Sequence, residues 1–137
     1  MKKIFAAATS MFLFIAGASA QTATDLAEKY RHYEVYEVQP GIQMTPRFDS
    51  SGLVCEMQVE QVVKDGVYVS HAIDERRVFP IIDQLVPFSG RGAKLGTLDE
   101  CMGVCRTTYQ YSNVTITIES VGDTRLVRIK WRNRSCA

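Results

Sequence analysis

Two separate stretches of the chain alternate between hydrophobic and polar residues with a period of two. In "IQMTPRF" the apolar side chains fall at Ile42, Met44 and Phe48. In "LVCEMQVE" Leu53, Cys55, Met57 and Val59 share one face, while Val54, Glu56, Gln58 and Glu60 share the other. "DSSG" between them is turn chemistry, so the two runs predict a hairpin. Pro46 cannot donate a ladder hydrogen bond, which places its strand at an edge or makes it bulged there. A second hairpin is predicted near the end. "NVTITIES" alternates at Val114, Ile116 and Ile118, "VGDT" turns, and "RLVRIKWR" alternates Val127, Ile129 and Trp131 against Leu126, Arg128, Lys130 and Arg132. Trp131 and Phe48 are expected to be mostly buried, beside Ile116, Ile118, Val127 and Leu85.

Between these hairpins the period lengthens to near 3.6. In "DERRVFPIIDQLVP" a stripe of Val78, Ile81, Ile82, Leu85 and Val86 predicts an amphipathic helix, with Asp74 as cap and Glu75 in its first turn. Pro80 requires that the helix either begin near it or kink there. Upstream, "TDLAEKYR" offers Thr24 or Asp25 as the cap of one or two helical turns, or is a frayed terminus, and "YEVYEV" reads as a strand ended by Pro40 and Gly41. "PFSGRGAKLG" reads as a loop. The expected fold is therefore α+β: a small antiparallel sheet of two hairpins, one main helix packed on one face, and two disulfides.

The first twenty residues change the compartment. Lys2 and Lys3, the apolar run "IFAAATSMFLFI" and the small residues "ASA" before Gln21 form the pattern of a cleavable signal peptide. That run is too short to span a bilayer. The expected organisation is a signal peptide over 1–20 and a single α+β domain over 21–137, secreted or periplasmic and without a membrane span after cleavage. Losing Lys2 and Lys3 leaves 14 basic against 15 acidic side chains. A chain so close to neutral gives no reason to expect nucleic acid as a partner.

Few residues carry candidate chemistry. Gly90, Gly92 and Gly96 with Lys94 follow a helix instead of preceding one, and their spacing is too loose for a phosphate cradle. His32 and His71 lack ligand-spaced companions, so no metal or other cofactor is expected. Ser89 lacks the surroundings of a catalytic nucleophile. Asn113 and Asn133 begin chance matches to glycosylation sites. Arg128, Lys130, Arg132 and Arg134 place a row of positive charge on the last strand, which Glu56, Gln58 and Glu60 would complement if the strands are close.

The four cysteines remain. "CMGVC" has three intervening residues where dithiol oxidoreductases have two, and Arg106 stands where haem attachment needs His, so a staple is favoured over a redox or metal centre. Four cysteines leave three connectivities open, and the expected one pairs Cys101 with Cys105, because a five-residue ring closes readily around Gly103, and Cys55 with Cys136.

With "VQPGI", "GLVCEM", "DQLVPFSGRG", the close cysteines and the terminal "IKW" strand in view, nearly all of the chain beyond the leader resembles a group of exported bacterial proteins of the acidobacterial type. That resemblance bears on fold and implies no activity. A second, weaker likeness joins "FDSSGLVCEMQVE", the helix, a "P…G" loop and a strand to the C-terminal domain of TonB-type proteins, which implies peptide binding at a sheet edge. The chain departs from that pattern in its leader, its lack of a proline-rich linker and its cysteines. The expected function is a non-enzymatic binding or structural role with a protein or peptide partner. The alternatives are a TonB-like adaptor and a small periplasmic enzyme, the latter marked by Asp74, Glu75, Arg91 or His71 converging in a pocket.

Overall fold

A computed structural model of the chain describes residues 21–29, 31–32, 35–70 and 72–137. The elements in chain order are α1 (Ala23–Lys29), β1 (Arg31–His32), β2 (Tyr36–Gln39), β3 (Ile42–Phe48), β4 (Val54–Gln61), β5 (Val63–Lys64), β6 (Val67–Tyr68), α2 (Glu75–Leu85), α3 (Phe88–Arg91), β7 (Lys94–Met102), β8 (Val104–Tyr111), β9 (Val114–Val121) and β10 (Thr124–Trp131). Eight of the strands form one antiparallel sheet in the order β1-β2-β3-β4-β10-β9-β8-β7, and β5 pairs only with β6.

This overturns the expected α+β sheet of two hairpins. The molecule is mostly β, and its largest addition is a third long hairpin, β7–β8, formed by residues read as a loop and a cysteine staple. A hairpin with little burial on either face has no hydrophobic alternation to announce it.

The two expected hairpins form as β3–β4 and β9–β10, and β10 then pairs with β4. That register sets Val127 opposite Val59 and Ile129 opposite Met57, which builds one continuous apolar face. The helix α2 covers it: Val78, Ile81, Ile82 and Leu85 join Met57, Val59, Ile116, Val127 and Ile129 in the core. Side chains of this size each contribute about 1.5–3 kcal/mol when fully buried. Trp131 and Phe48, expected to be mostly buried, are partly buried. Both pack against the core's margin, because each ends its strand where the helix cover stops.

Capping fixes where the helices begin. Asp74 accepts from the backbone N–H groups of Arg76 (2.9 Å) and Arg77 (3.1 Å), so α2 starts before Pro80. Pro80 then sits inside the helix and leaves the carbonyl of exposed Arg76 without its helical donor, where water can reach it. The short α1 is capped by Thr22, ahead of the expected Thr24 or Asp25. Thr22 Oγ1 accepts from Asp25 N–H at 3.2 Å, and Asp25 accepts in return from Thr22 N–H at 2.9 Å. These Thr22 hydrogen bonds hold the Asp25 carboxyl below its ordinary pKa.

Pro46 is accommodated as its chemistry demands. Among the described residues β2 pairs with β3 only as far as Met44, and Pro46 lies beyond that pairing while it stands opposite Met57 of β4 on the other side. The "DSSG" turn is an Asx turn. Asp49 accepts from Ser51 Oγ (2.6 Å), Ser51 N–H (2.8 Å) and Leu53 N–H (3.0 Å), and the Ser51 hydroxyl bond is the chief reason its pKa is lowered.

Candidate functional site

β7 is the outermost strand of the sheet. One side of its backbone pairs with β8 from Lys94↔Tyr111 to Met102↔Val104, and the other side has no strand beside it among the described residues. Every side chain of β7 is exposed, apart from the half-buried Gly96 position. Leu95, Leu98 and Met102 are among them, and Met102 is 95% exposed.

Local chemistry, in place of a core, holds this hairpin in register. Cys101 and Cys105 lie directly opposite each other and are disulfide-bonded, with Cα atoms 4.1 Å apart. The turn between them rests on Gly103 at φ +83°, a backbone conformation that favours glycine. Further along, Thr107 Oγ1 donates to Asp99 at 2.7 Å and Arg106 pairs with Glu119 at 3.1 Å. On the face towards α2, Tyr109 meets Phe79 edge-on with ring centroids 6.0 Å apart. Partial burial there, with Asp99 nearby, raises the Tyr109 pKa.

The structure brings Cys55 together with Cys136 across a sequence separation of 81. The tail is laid against the first hairpin by an Asp49↔Cys136 bridge and an Ala137 N–H bond to the Phe48 carbonyl, so this cystine closes a buried corner. There are no free cysteines among the described residues. Two disulfides suit an oxidising, extracytoplasmic compartment. No helix among the described residues is long and apolar enough to cross a membrane.

The other sequence candidates disperse. Gly90, Gly92 and Gly96 fall on the end of α3, the link after it and β7, and so form no common cradle. Gly92 is needed for close packing, since a Cβ there would run into Ser112 Oγ. Asp74 and Glu75 open α2, whereas Arg91 closes its other end by donating to the Val86 carbonyl (2.8 Å) and to Asp83 (2.6 Å). An eleven-residue helix, roughly 16 Å, separates them. His71 lies outside the described residues, and for His32 only the backbone of β1 is described. Ser89 is exposed in α3, Asn133 is exposed, and exposed Asn113 donates to the Gly90 carbonyl at 3.3 Å. Among the described residues no group of three or more His, Cys, Asp or Glu is placed to hold a metal ion.

The row of positive charge on β10 meets its complement. Arg128 reaches Glu56 (3.6 Å) and Gln58 (3.3 Å), and Arg47 reaches the same Glu56 (3.6 Å). Arg134 turns away from that row and donates to the Val54 carbonyl at 2.7 Å.

No protein-family model, curated protein or solved structure matches the chain.

Proposed function

We propose that this chain is an exported binding protein, freed of a signal peptide over residues 1–20, that takes an extended peptide as an added strand along β7. The observation that carries this reading is the backbone edge of a nine-residue strand that no strand covers among the described residues, tied to its hairpin partner by a cystine at its tip. Such an edge supplies a row of N–H and C=O groups to any chain laid beside it, and side-chain contacts select the sequence. The resemblance to TonB-type domains implies the same mode of binding. On β7, Leu98, Glu100 and Met102 follow one another along one face as apolar, acidic and apolar, with Asp99 on the opposite face, so the partner is a strand whose aliphatic and basic residues take turns along one of its faces.

The test uses the full oxidised protein and a synthetic ten-residue peptide that sets Val and Lys in turn at every second position, with Thr between them. Binding is expected to weaken with salt, to slow amide hydrogen exchange along β7, and to be abolished by N-methylating one alternate set of peptide residues but not the other. Indifference to N-methylation of either set, or protection away from β7, would refute strand addition.

A further inference from the structure

The two cystines differ in what a second thiol can reach. Cys55 is fully buried, and the tail that carries Cys136 is laid against the first hairpin by the Asp49↔Cys136 bridge. Cys101 and Cys105 are both exposed, and they join β7 to β8 at directly opposed positions. A disulfide exchanges when a thiolate attacks one of its sulfurs, so access decides which cystine can react.

The two sulfurs of the exposed pair are not equivalent. Cys101 stands on the outermost strand and lines a hollow of about 540 Å³ with Glu100, Met102 and Arg106. Attacking, central and leaving sulfurs line up in such a displacement. A thiolate aimed at Cys101 therefore comes over the outer side of β7, where no strand lies among the described residues. Cys105 instead lines a groove of about 160 Å³ between α2 and the sheet, which leaves an incoming chain far less room.

Charge points the same way. Ser120 and Arg125 line that groove with Cys105, and they stand opposite each other in the β9–β10 register. A hydroxyl and a guanidinium so placed favour a thiolate released at Cys105. Arg125 is engaged only loosely, with the exposed Glu75 at 3.8 Å and the Thr124 carbonyl at 3.3 Å. Asp99 and Glu100 precede Cys101, and Asp99 shares its face, so a thiolate at Cys101 would meet a carboxylate instead.

We propose that Cys101–Cys105 is a thiol–disulfide exchange site whose co-substrate is a protein dithiol. One thiolate of the dithiol bonds to Cys101 Sγ, the Cys101–Cys105 bond breaks, and its electron pair stays on Cys105 Sγ. The dithiol's second thiolate then attacks the mixed disulfide and frees Cys101. Two electrons and two protons pass to the chain, and the dithiol ends as a disulfide. The exchange needs no peptide on β7.

The full oxidised protein is treated with reduced glutathione, quenched with N-ethylmaleimide and mapped without reduction. Glutathione should sit on Cys101 and the maleimide on Cys105, with Cys55 and Cys136 still joined. The outer pair should open about ten-fold faster than the inner pair, or more. A protein bearing a reduced Cys-x-x-Cys dithiol, in excess, should leave Cys101 and Cys105 as free thiols and become oxidised itself. Arg125→Gln should slow the opening by glutathione several-fold and spread glutathione over both sulfurs. Glutathione on Cys105 in the parent protein, equal opening of the two cystines, no oxidation of the dithiol protein, or an unchanged rate in Arg125→Gln would each overturn the assignment.

Discussion

The sheet has two halves built on different principles. In the half under α2, strands β3, β4, β10 and β9 place residues such as Met57, Val59, Ile116 and Ile129 in full burial, and hydrophobic burial fixes their register, since a slip of one residue would turn the whole set outward. In the β7–β8 half, burial is confined to the end of β8, where Tyr111 is buried and Tyr109 packs against the core, and β7 is exposed along its length. Cross-strand partners hold it: one cystine, the Thr107–Asp99 hydrogen bond and the Arg106–Glu119 ion pair, where exposed polar pairs contribute only about 0.2–1 kcal/mol each. The first half can tolerate little change in volume, whereas the second is free to vary its surface. That is the division expected of a scaffold and the strand it presents.

The sharpest way to break this contrast is through the cystines. Replacing Cys55 and Cys136 with Ala removes a constraint on a loop spanning 81 positions, for which chain entropy gives about 4.5 kcal/mol, against about 2 kcal/mol for the short ring of Cys101 and Cys105. Urea unfolding of the two double variants measures both losses. An equal or larger loss from the outer pair would mean that the hairpin belongs to the stability of the whole.

Next in size is the packing itself. Ile129→Ala should cost about 2–5 kcal/mol, because that side chain is fully buried between sheet and helix. Leu98→Ala, on a side chain that is 47% exposed, should stay within about 0.5 kcal/mol. Similar losses at the two positions would show that the hairpin's exposed face is covered in solution.

The smallest effects separate the halves by pH. Asp49, in the turn of the covered half, has its carboxyl held below the ordinary 3.8, chiefly by the Ser51 hydroxyl. Its contribution is present above the unfolded-state value and disappears as pH falls through the folded one. Tyr109, in the outer hairpin, is raised above its ordinary 10.0, first by burial and then by Asp99. Its contribution is complete below 10.0 and disappears as pH rises through the folded value. Asp49→Asn should therefore flatten the acid limb of the stability profile, and Tyr109→Phe the alkaline limb. A reversal of these two assignments would undo the comparison.

What could be read from the sequence followed the same division. The stripe of Val78, Ile81, Ile82, Leu85 and Val86 and the alternation through Met57, Val59, Val127 and Ile129 were legible because burial on one face leaves a period. Residues 94–111 leave no such period, since Leu98, Glu100 and Met102 all face water. One signal was present: two cysteines equally spaced about Gly103, followed by the strand-forming run "RTTYQY", suit a hairpin tip better than a loop. A cleft beside Trp131 left no local trace, because its lining is gathered from Gln21, the end of α2, Gly90, Asn113 and the end of β10 with the segment after it.

The order of the strands also governs how the chain comes together. β10, the last strand to be made, is central in the sheet, between β4 and β9. Until it arrives, β4 has an open apolar flank, and Cys55 can meet only Cys101 and Cys105, its wrong partners. Emergence at the N-terminus first therefore leaves half a sheet waiting on Thr124–Trp131. Oxidation before that point joins Cys55 to Cys101 or Cys105, and the native pairing then requires a thiolate to reopen that bond once Cys136 appears.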